Sequence, residues 1–128
     1  MPLTSPLTII KTNVSISQIS YWHISVEFTT GALILISELV TANHQAISLE
    51  IVAILRALDE VSRRFTLCPD SVADIVIISD SAAITHALNS GLTSAALFTQ
   101  ISAQIASIQD TFSVNVLVTL PTNFQTDH

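Results

Sequence analysis

The spacing of apolar residues first changes near residue 43, and that change constrains the fold more than any other feature. Before residue 40 the chain is rich in β-branched residues, and the later part of Leu7–Ile16 and the segment Ile19–Phe28 alternate at the two-residue period of β-strands. We predict three strands, over Leu7–Ile16, Ile19–Phe28 and Ala32–Val40. A turn at Thr29-Thr30-Gly31 would join the second and third as a hairpin.

Beyond residue 43, the spacing of three and four that is typical of helices takes over. Asn43 is a candidate N-cap for a helix from Gln45 to Arg63. Its apolar stripe consists of Ile47, Ile51, Ile54, Leu58 and Val61. Further segments are a strand over Ile75–Ile78, a helix that starts near Ala82 and stops before Gly91, a helix from Ser94 to Gln109, and a strand over Val114–Leu120.

The resulting order, β-β-β-α-β-α-α-β, predicts an α/β fold with residues 1–128 as one domain. An antiparallel meander followed by strands joined through helices implies a five-stranded mixed sheet flanked by helices. Because crossover connections are right-handed, the last two strands are expected to run parallel to the first.

The charge content of the chain is low and uneven. Charged residues make up 11% of the 128 residues, against roughly 25% in a typical globular chain. Hydrophobic residues reach 49%. A surface so poor in charge favours a domain that rests on another protein domain or associates with itself. The cations are Lys11, Arg56, Arg63 and Arg64, against ten acidic residues, so tight, autonomous binding to nucleic acid is not expected.

The cysteine content and the hydropathy pattern indicate in which cellular compartment the chain is expected. Cys68 is the single cysteine, so an intramolecular disulfide is excluded and an intracellular setting, cytoplasmic or nuclear, is expected. One cysteine and four scattered histidines do not form a zinc motif. The apolar runs are too short to cross a bilayer, so no membrane association is expected.

Two carboxylates interrupt apolar patterns. Asp80 follows the buried run Ile75–Ile78, where a strand passes into a helix. It could cap that helix, or it could belong to a ligand site, because sheets with parallel strands bind ligands outside the carboxyl ends of those strands.

Glu50 lies on or beside the apolar stripe of the first long helix. It could pair with Arg56 or Arg63, or it could converge with Asp80. Two converging carboxylates without Cys or His nearby favour Mg²⁺ or Mn²⁺.

At AISLEIVAILRAL (46–58) and IISDSAAITHALNSG (77–91) the chain resembles the ribonuclease H family, and in particular the domains of retroelement reverse transcriptases. The family has an acidic residue and Leu-x-Ala on its first long helix, and a strand that ends in Asp-Ser before Ala-x-x-Ala-Leu. The predicted elements come in the family's order over nearly the whole chain.

The resemblance implies a two-metal nuclease that cleaves the RNA strand of RNA/DNA hybrids. Glu50 and Asp80 match two of the family's four metal-binding carboxylates, and Asp127 is a match to the last one. Asn13 falls where the family has the first-strand Asp, which touches both metals. The implied cofactor is Mg²⁺ or Mn²⁺.

The first strand departs from the family's Thr-Asp-Gly-Ser, because this chain has Thr12-Asn13-Val14-Ser15 preceded by Lys11. Asn lacks the charge that bridges two cations, and Val cannot take the positive φ that Gly allows. The family's loop His is also absent, since His128 follows Asp127 instead of preceding it.

Three interpretations follow. The sequence favours a ribonuclease H-like domain that has lost its chemistry and acts as a structural or protein-interaction module. The alternative is an active metal-dependent ribonuclease H. A generic α/β ligand-binding domain ranks last, because Gly31 and Gly91 are the chain's two glycines and neither belongs to a Gly-rich phosphate loop.

Overall fold

A computed structural model describes residues 7–15, 20–40, 46–82, 84–86 and 96–121 of the chain. In chain order the elements are β1 (Leu7–Ser15), β2 (Ser20–Glu27), β3 (Leu33–Val40), α1 (Ala46–Leu67), a 3₁₀ turn (Pro69–Ser71), β4 (Asp74–Ile78), α2 (Ala96–Phe112) and β5 (Val116–Thr119). Residues 82 and 84–86 are also helical. None of the described helices is both long enough and apolar enough to cross a membrane.

The five strands form one mixed sheet in the order β3-β2-β1-β4-β5. β1 lies at its centre, antiparallel to β2 and parallel to β4, and β5 is parallel to β4. The predicted topology is therefore confirmed, with both late strands parallel to the first. This arrangement brings the carboxyl ends of β1, β4 and β5 to one edge of the sheet.

A tight hairpin connects β2 to β3 at the predicted turn. Gly31 has a φ of +88°, which a glycine adopts at little cost, and its N–H donates to the Phe28 carbonyl at 2.9 Å. The Phe28 N–H donates in turn to the Ala32 carbonyl at 2.9 Å. These bonds fix the register in which Glu27 pairs with Leu33 and Ile24 with Ile36.

The core lies between one face of the sheet and α1, which packs across β1 and β2 and against α2. The buried apolar residues of β2 and its end are Trp22, Ile24, Val26 and Phe28, which alternate along the strand and so share one face of the sheet. The described part of the helix stripe is buried too, at Ile51, Ile54, Leu58 and Val61. Alternate residues of β1 and β2 point to the other face of the sheet, away from α1.

Both long helices extend beyond their predicted carboxyl ends. α1 continues past Arg63 to Leu67, because Phe65 carries the buried stripe one turn further and Pro69 follows the end. α2 continues past Gln109 to Phe112, whose ring packs edge-on against Phe65 with centroids 5.3 Å apart. The additional turns of both helices are buried or packed against each other, through Phe65 and Phe112.

Other element boundaries differ by smaller amounts. β5 covers Val116–Thr119 and is shorter than the predicted strand, since Ser113 has a φ of +55° at the end of α2. The proposed cap Asn43 lies outside the described residues, and so do Gly91 and most of the helix predicted before it.

Candidate functional site

Glu50 is a buried carboxylate that accepts hydrogen bonds from two hydroxyl groups. It is 6% exposed, on the face of α1 that packs on the sheet. Its Oε1 atom accepts from the Thr12 Oγ1 hydroxyl, and the Ser79 Oγ hydroxyl donates to the same oxygen at 2.9 Å. These bonds offset the cost of removing a carboxylate from water.

The fold brings these three side chains together from separate elements. Thr12 alternates with Ile10 on the buried face of β1, so its hydroxyl points toward α1. Ser79 directly follows β4, which pairs in parallel with β1. The Ser79 hydroxyl also accepts from the Ser81 N–H at 3.1 Å, which fixes its orientation.

The arginines that could have paired with Glu50 bind Glu60 instead. Arg56 Nη1 lies 2.5 Å from Glu60 Oε1, and Arg63 Nη2 lies 2.9 Å from Glu60 Oε2. The hydrogen bond from Arg63, followed by that from Arg56, lowers the pKa of Glu60 below its ordinary value. Glu60 is only 7% exposed, because the two arginine side chains cover it.

The helix that follows β4 is capped by Ser81 and not by Asp80. The Ile84 N–H donates to Ser81 Oγ at 3.2 Å, and the Thr85 N–H donates to the Ser81 carbonyl at 3.0 Å. Asp80 is exposed, and within the described residues it forms no hydrogen bond or ion pair.

Asp80 lies at a cavity of about 680 Å³ on the sheet face opposite α1. The lining residues are Lys11, Thr12, Asn13, His23, Ile24, Ser25, Leu35, Ser37, Ile78, Asp80 and Pro121. The mixture of an ammonium group, an imidazole, an amide and a carboxylate gives this cavity both donors and acceptors.

The structure divides the predicted site residues between two places. Asn13 is exposed and lines the cavity with Asp80, whereas Glu50 is held on the other side of the sheet by Thr12. Neighbouring residues of a strand point to opposite faces, so Thr12, and not Asn13, is the β1 residue that contacts Glu50. Asp127 lies outside the described residues.

The described residues do not fit a two-metal centre. Among them, no group of three or more His, Cys, Asp or Glu side chains could hold a metal ion. One oxygen of Glu50 already accepts two hydroxyl donors, and Lys11 shares the cavity with Asp80. Two cations a few ångströms apart need several anionic ligands, and Glu50 and Asp80 are not joined by any described contact.

Sequence reasoning missed the roles of Thr12 and Ser79. Ile10 and Thr12 alternate along β1, and this alternation could have indicated that a hydroxyl faces the helix that carries Glu50. Ser79 gave no comparable signal, since its contact with Glu50 depends on which strands become neighbours in the sheet.

Comparisons with known proteins identify the fold through structure and not through sequence. No protein-family model matches the chain, and no curated protein sequence matches it. LC11-RNase H1 in complex with an RNA/DNA hybrid is similar with a TM-score of 0.65, at 15% identity over 88% of this chain and 83% of that one.

Two other solved structures agree. RNase H1 from the halophilic archaeon Halobacterium salinarum is similar with a TM-score of 0.63, at 10% identity over 92% of this chain and 88% of that one. The foamy viral protease-reverse transcriptase in complex with dsDNA is similar with a TM-score of 0.61, at 13% identity over 95% of this chain and 82% of that one. At such low identity the likeness extends to the fold alone. The chain has the ribonuclease H-like fold.

Proposed function

We propose that this ribonuclease H-like domain does not perform two-metal catalysis and acts as a structural or protein-interaction module. The observation that carries the proposal is the environment of Glu50. A carboxylate in a two-metal site faces other carboxylates across the ions, whereas Glu50 faces the hydroxyls of Thr12 and Ser79. Both hydroxyls donate to Oε1, so this oxygen is satisfied without a cation.

A second observation supports the same proposal. Lys11 lines the cavity that contains Asp80 and Asn13, so its ammonium group would repel a divalent ion bound there. A role in binding another protein surface fits the composition, since the chain is poor in charged residues and rich in apolar ones.

Metal titration tests the proposal directly. Any ion that binds the folded state alone stabilises it, by about 1.4 kcal/mol at ten times its Kd. For a chain of this size, that is a rise in Tm of roughly 4–6 °C. We expect less than 1 °C from millimolar Mg²⁺ or Mn²⁺, and no cleavage of an RNA/DNA hybrid. A clear rise together with metal-dependent cleavage would refute the proposal.

A pair of variants tests which position on β1 would have to carry a carboxylate for a metal ion to bind near Glu50. Thr12 contacts Glu50 on the α1 side of β1, so Thr12→Asp places a second carboxylate beside Glu50. We expect Thr12→Asp to lower stability in chelator, because two buried carboxylates repel, and to regain it in Mg²⁺. Asn13→Asp is the matched control and should respond less to metal, since residue 13 faces away from Glu50. An equal response would show that residue 12 is not the decisive position.

The alternative function is an active metal-dependent ribonuclease H that cleaves the RNA strand of hybrids. It is favoured by the presence of Glu50 and Asp80 on the expected elements and by the fold. It also requires the proposed contribution of Asp127. Under this alternative the unmodified chain would cleave a hybrid with Mg²⁺ or Mn²⁺, and Asp80→Ala would abolish the cleavage.

A further inference from the structure

β3 forms an edge of the sheet and lacks the features that usually protect an edge. It covers Leu33–Val40 and pairs with β2 alone among the described strands. Its sequence, LILISELV, contains no Pro, Lys or Arg, and its one charge is Glu38. Natural edge strands are commonly short, charged or interrupted by proline, because a free edge recruits other strands. β5, at the other edge, is shorter and is soon followed by Pro121.

The register of the hairpin identifies the backbone groups at this free edge. In antiparallel pairs, residues that exchange hydrogen bonds alternate with residues that do not. The bond from the Phe28 N–H to the Ala32 carbonyl sets the phase, so the even-numbered residues of β3 bond to β2. The N–H and C=O groups that point outward therefore belong to Leu33, Leu35, Ser37 and Leu39.

The side chains of the same residues form an apolar row. Leu33, Leu35 and Leu39 are 57, 72 and 69% exposed. They point to the sheet face opposite α1, where burying such side chains against another surface is favourable. Within the described part of the chain, backbone groups without a strand partner and exposed leucine side chains thus coincide along β3.

We propose that two copies of this chain pair through β3, antiparallel, about a two-fold axis at Ile36. In this register Leu33 lies opposite Leu39 of the second copy, and Leu35 lies opposite Ser37. All the outward-pointing residues of the strand then pair with outward-pointing residues of the other copy. The two sheets become one continuous sheet, and the leucines form one row across the join.

The sequence of β3 favours this register and favours a second copy of the chain as the partner. A pairing centred on Leu35 sets Leu39 opposite Gly31, outside the strand, and one centred on Ser37 sets Leu33 opposite Thr41, outside the described strand. In the proposed register Glu38 faces Ile34 of the other copy, so the two carboxylates stay apart, whereas like charges directly opposite destabilise a pair. The edge is thus complementary to itself, which a two-fold contact requires.

This inference deepens the proposed function by naming a partner, a second copy, but it rests on β3 and not on the Glu50 site. An active nuclease could pair in the same way. Cleavage and metal assays therefore test the proposed function, and the oligomeric state tests the pairing.

Sedimentation equilibrium of the full chain from 1 to 200 µM tests the proposal. We expect a monomer–dimer equilibrium that Ser37→Pro weakens at least tenfold, because proline removes an outward N–H that β2 does not use. Leu35→Lys should weaken it similarly through charge on the edge. If circular dichroism shows that Ser37→Pro is unfolded, Leu35→Lys decides the test.

Leu117→Lys is the matched control. Leu117 is a 43% exposed leucine on the same sheet face but on β5, so this variant should leave the dimer intact. A chain that stays monomeric at 200 µM would overturn the proposal. So would an association that Leu117→Lys weakens as much as the β3 variants do, since that would indicate general stickiness of the face.

Cysteine cross-linking tests the register. In a Cys68→Ser background, Ile36→Cys should oxidise to a covalent dimer, because residue 36 faces itself at a non-hydrogen-bonded pair where Cα atoms are about 4.5 Å apart. Ser37→Cys in the same background is the control and should cross-link at least tenfold less. The reverse preference, or no cross-linking by either variant, would overturn the proposed register.

Discussion

Two threonines on the buried face of β1 have opposite hydrogen-bonding states. Thr12 donates to Glu50, whereas Thr8 Oγ1 is buried with no hydrogen-bond partner in the described part of the chain. Both residues are almost fully buried, at 6 and 0% exposed. Replacing each threonine by valine therefore compares a hydroxyl that stabilises the folded protein with one that destabilises it.

We expect Thr12→Val to destabilise the protein by about 1.5–3 kcal/mol, because it removes a donor from a buried carboxylate. Thr8→Val should stabilise it by about 1 kcal/mol, because an unpaired buried hydroxyl is replaced by a methyl group of similar shape. Urea unfolding measures both changes. Equal signs for the two variants would contradict the hydrogen-bond assignment.

At the scale of elements, α1 carries two buried carboxylates with different partners. Glu50 faces hydroxyls of the sheet, and Glu60 holds Arg56 and Arg63. The arginine side chains are 44 and 66% exposed, so the network lies at the rim of the helix, where such pairs contribute modestly.

The Glu60 network predicts a loss of stability in acid. Since the pKa of Glu60 is lowered by Arg63 and Arg56, its stabilising effect is present above the unfolded pKa of about 4.3. The effect is lost as pH falls through the lower folded pKa. We expect Glu60→Gln to cost about 0.5–1 kcal/mol at pH 7 and to reduce the acid dependence below pH 4.5.

Thermal unfolding between pH 2.5 and pH 7 measures this effect. Asp59→Asn, which changes the neighbouring exposed carboxylate, is the control and should leave the acid dependence close to that of the unmodified chain. Parallel pH profiles for Glu60→Gln and the unmodified chain would show that the network does not matter.

The end of α2 offers a test of backbone conformation. Ser113 has a φ of +55°, which is costly for a residue with a Cβ and cheap for glycine. We expect Ser113→Gly to stabilise the protein by about 0.5–1 kcal/mol in urea unfolding. Ser107→Gly makes the same change at an exposed site inside α2 and should destabilise by about 0.5 kcal/mol. A loss of stability from Ser113→Gly would contradict the assigned conformation.

At the scale of the whole molecule, positive charge is scarce, and three of the four cations already have partners. Arg56 and Arg63 bind Glu60, and Arg64 lies 5.4 Å over the Phe28 ring. Among the described contacts Lys11 has no anionic or aromatic partner. With a formal net charge of −6, the chain offers little to a phosphate backbone.

We therefore expect an RNA/DNA hybrid to bind with a Kd weaker than 1 µM at physiological salt, near the non-specific range of about 10⁻⁴ to 10⁻⁶ M. Fluorescence anisotropy measures it, and Lys11→Ala should weaken what binding remains. Nanomolar affinity would show that backbone amides and hydroxyls, and not cations, hold the nucleic acid.

The sequence by itself determined the element order, the mixed sheet and the buried faces. The alternation of Trp22, Ile24 and Val26 predicts their common face, and Gly31 predicts the hairpin turn, because side-chain period and backbone freedom are local properties. The burial of Glu50 also follows from its place on the helix stripe.

The tertiary structure decided which groups meet. Glu50 is joined to residues 38 and 29 positions away, Thr12 and Ser79, and the arginines that compete for it bind Glu60 instead. A sequence shows which groups are available, but pairing depends on strand register and on the way the helix packs. Because side chains alternate along β1, the residue that faces α1 is Thr12 and not its neighbour Asn13. This one-residue difference decides which chemical group lies opposite Glu50.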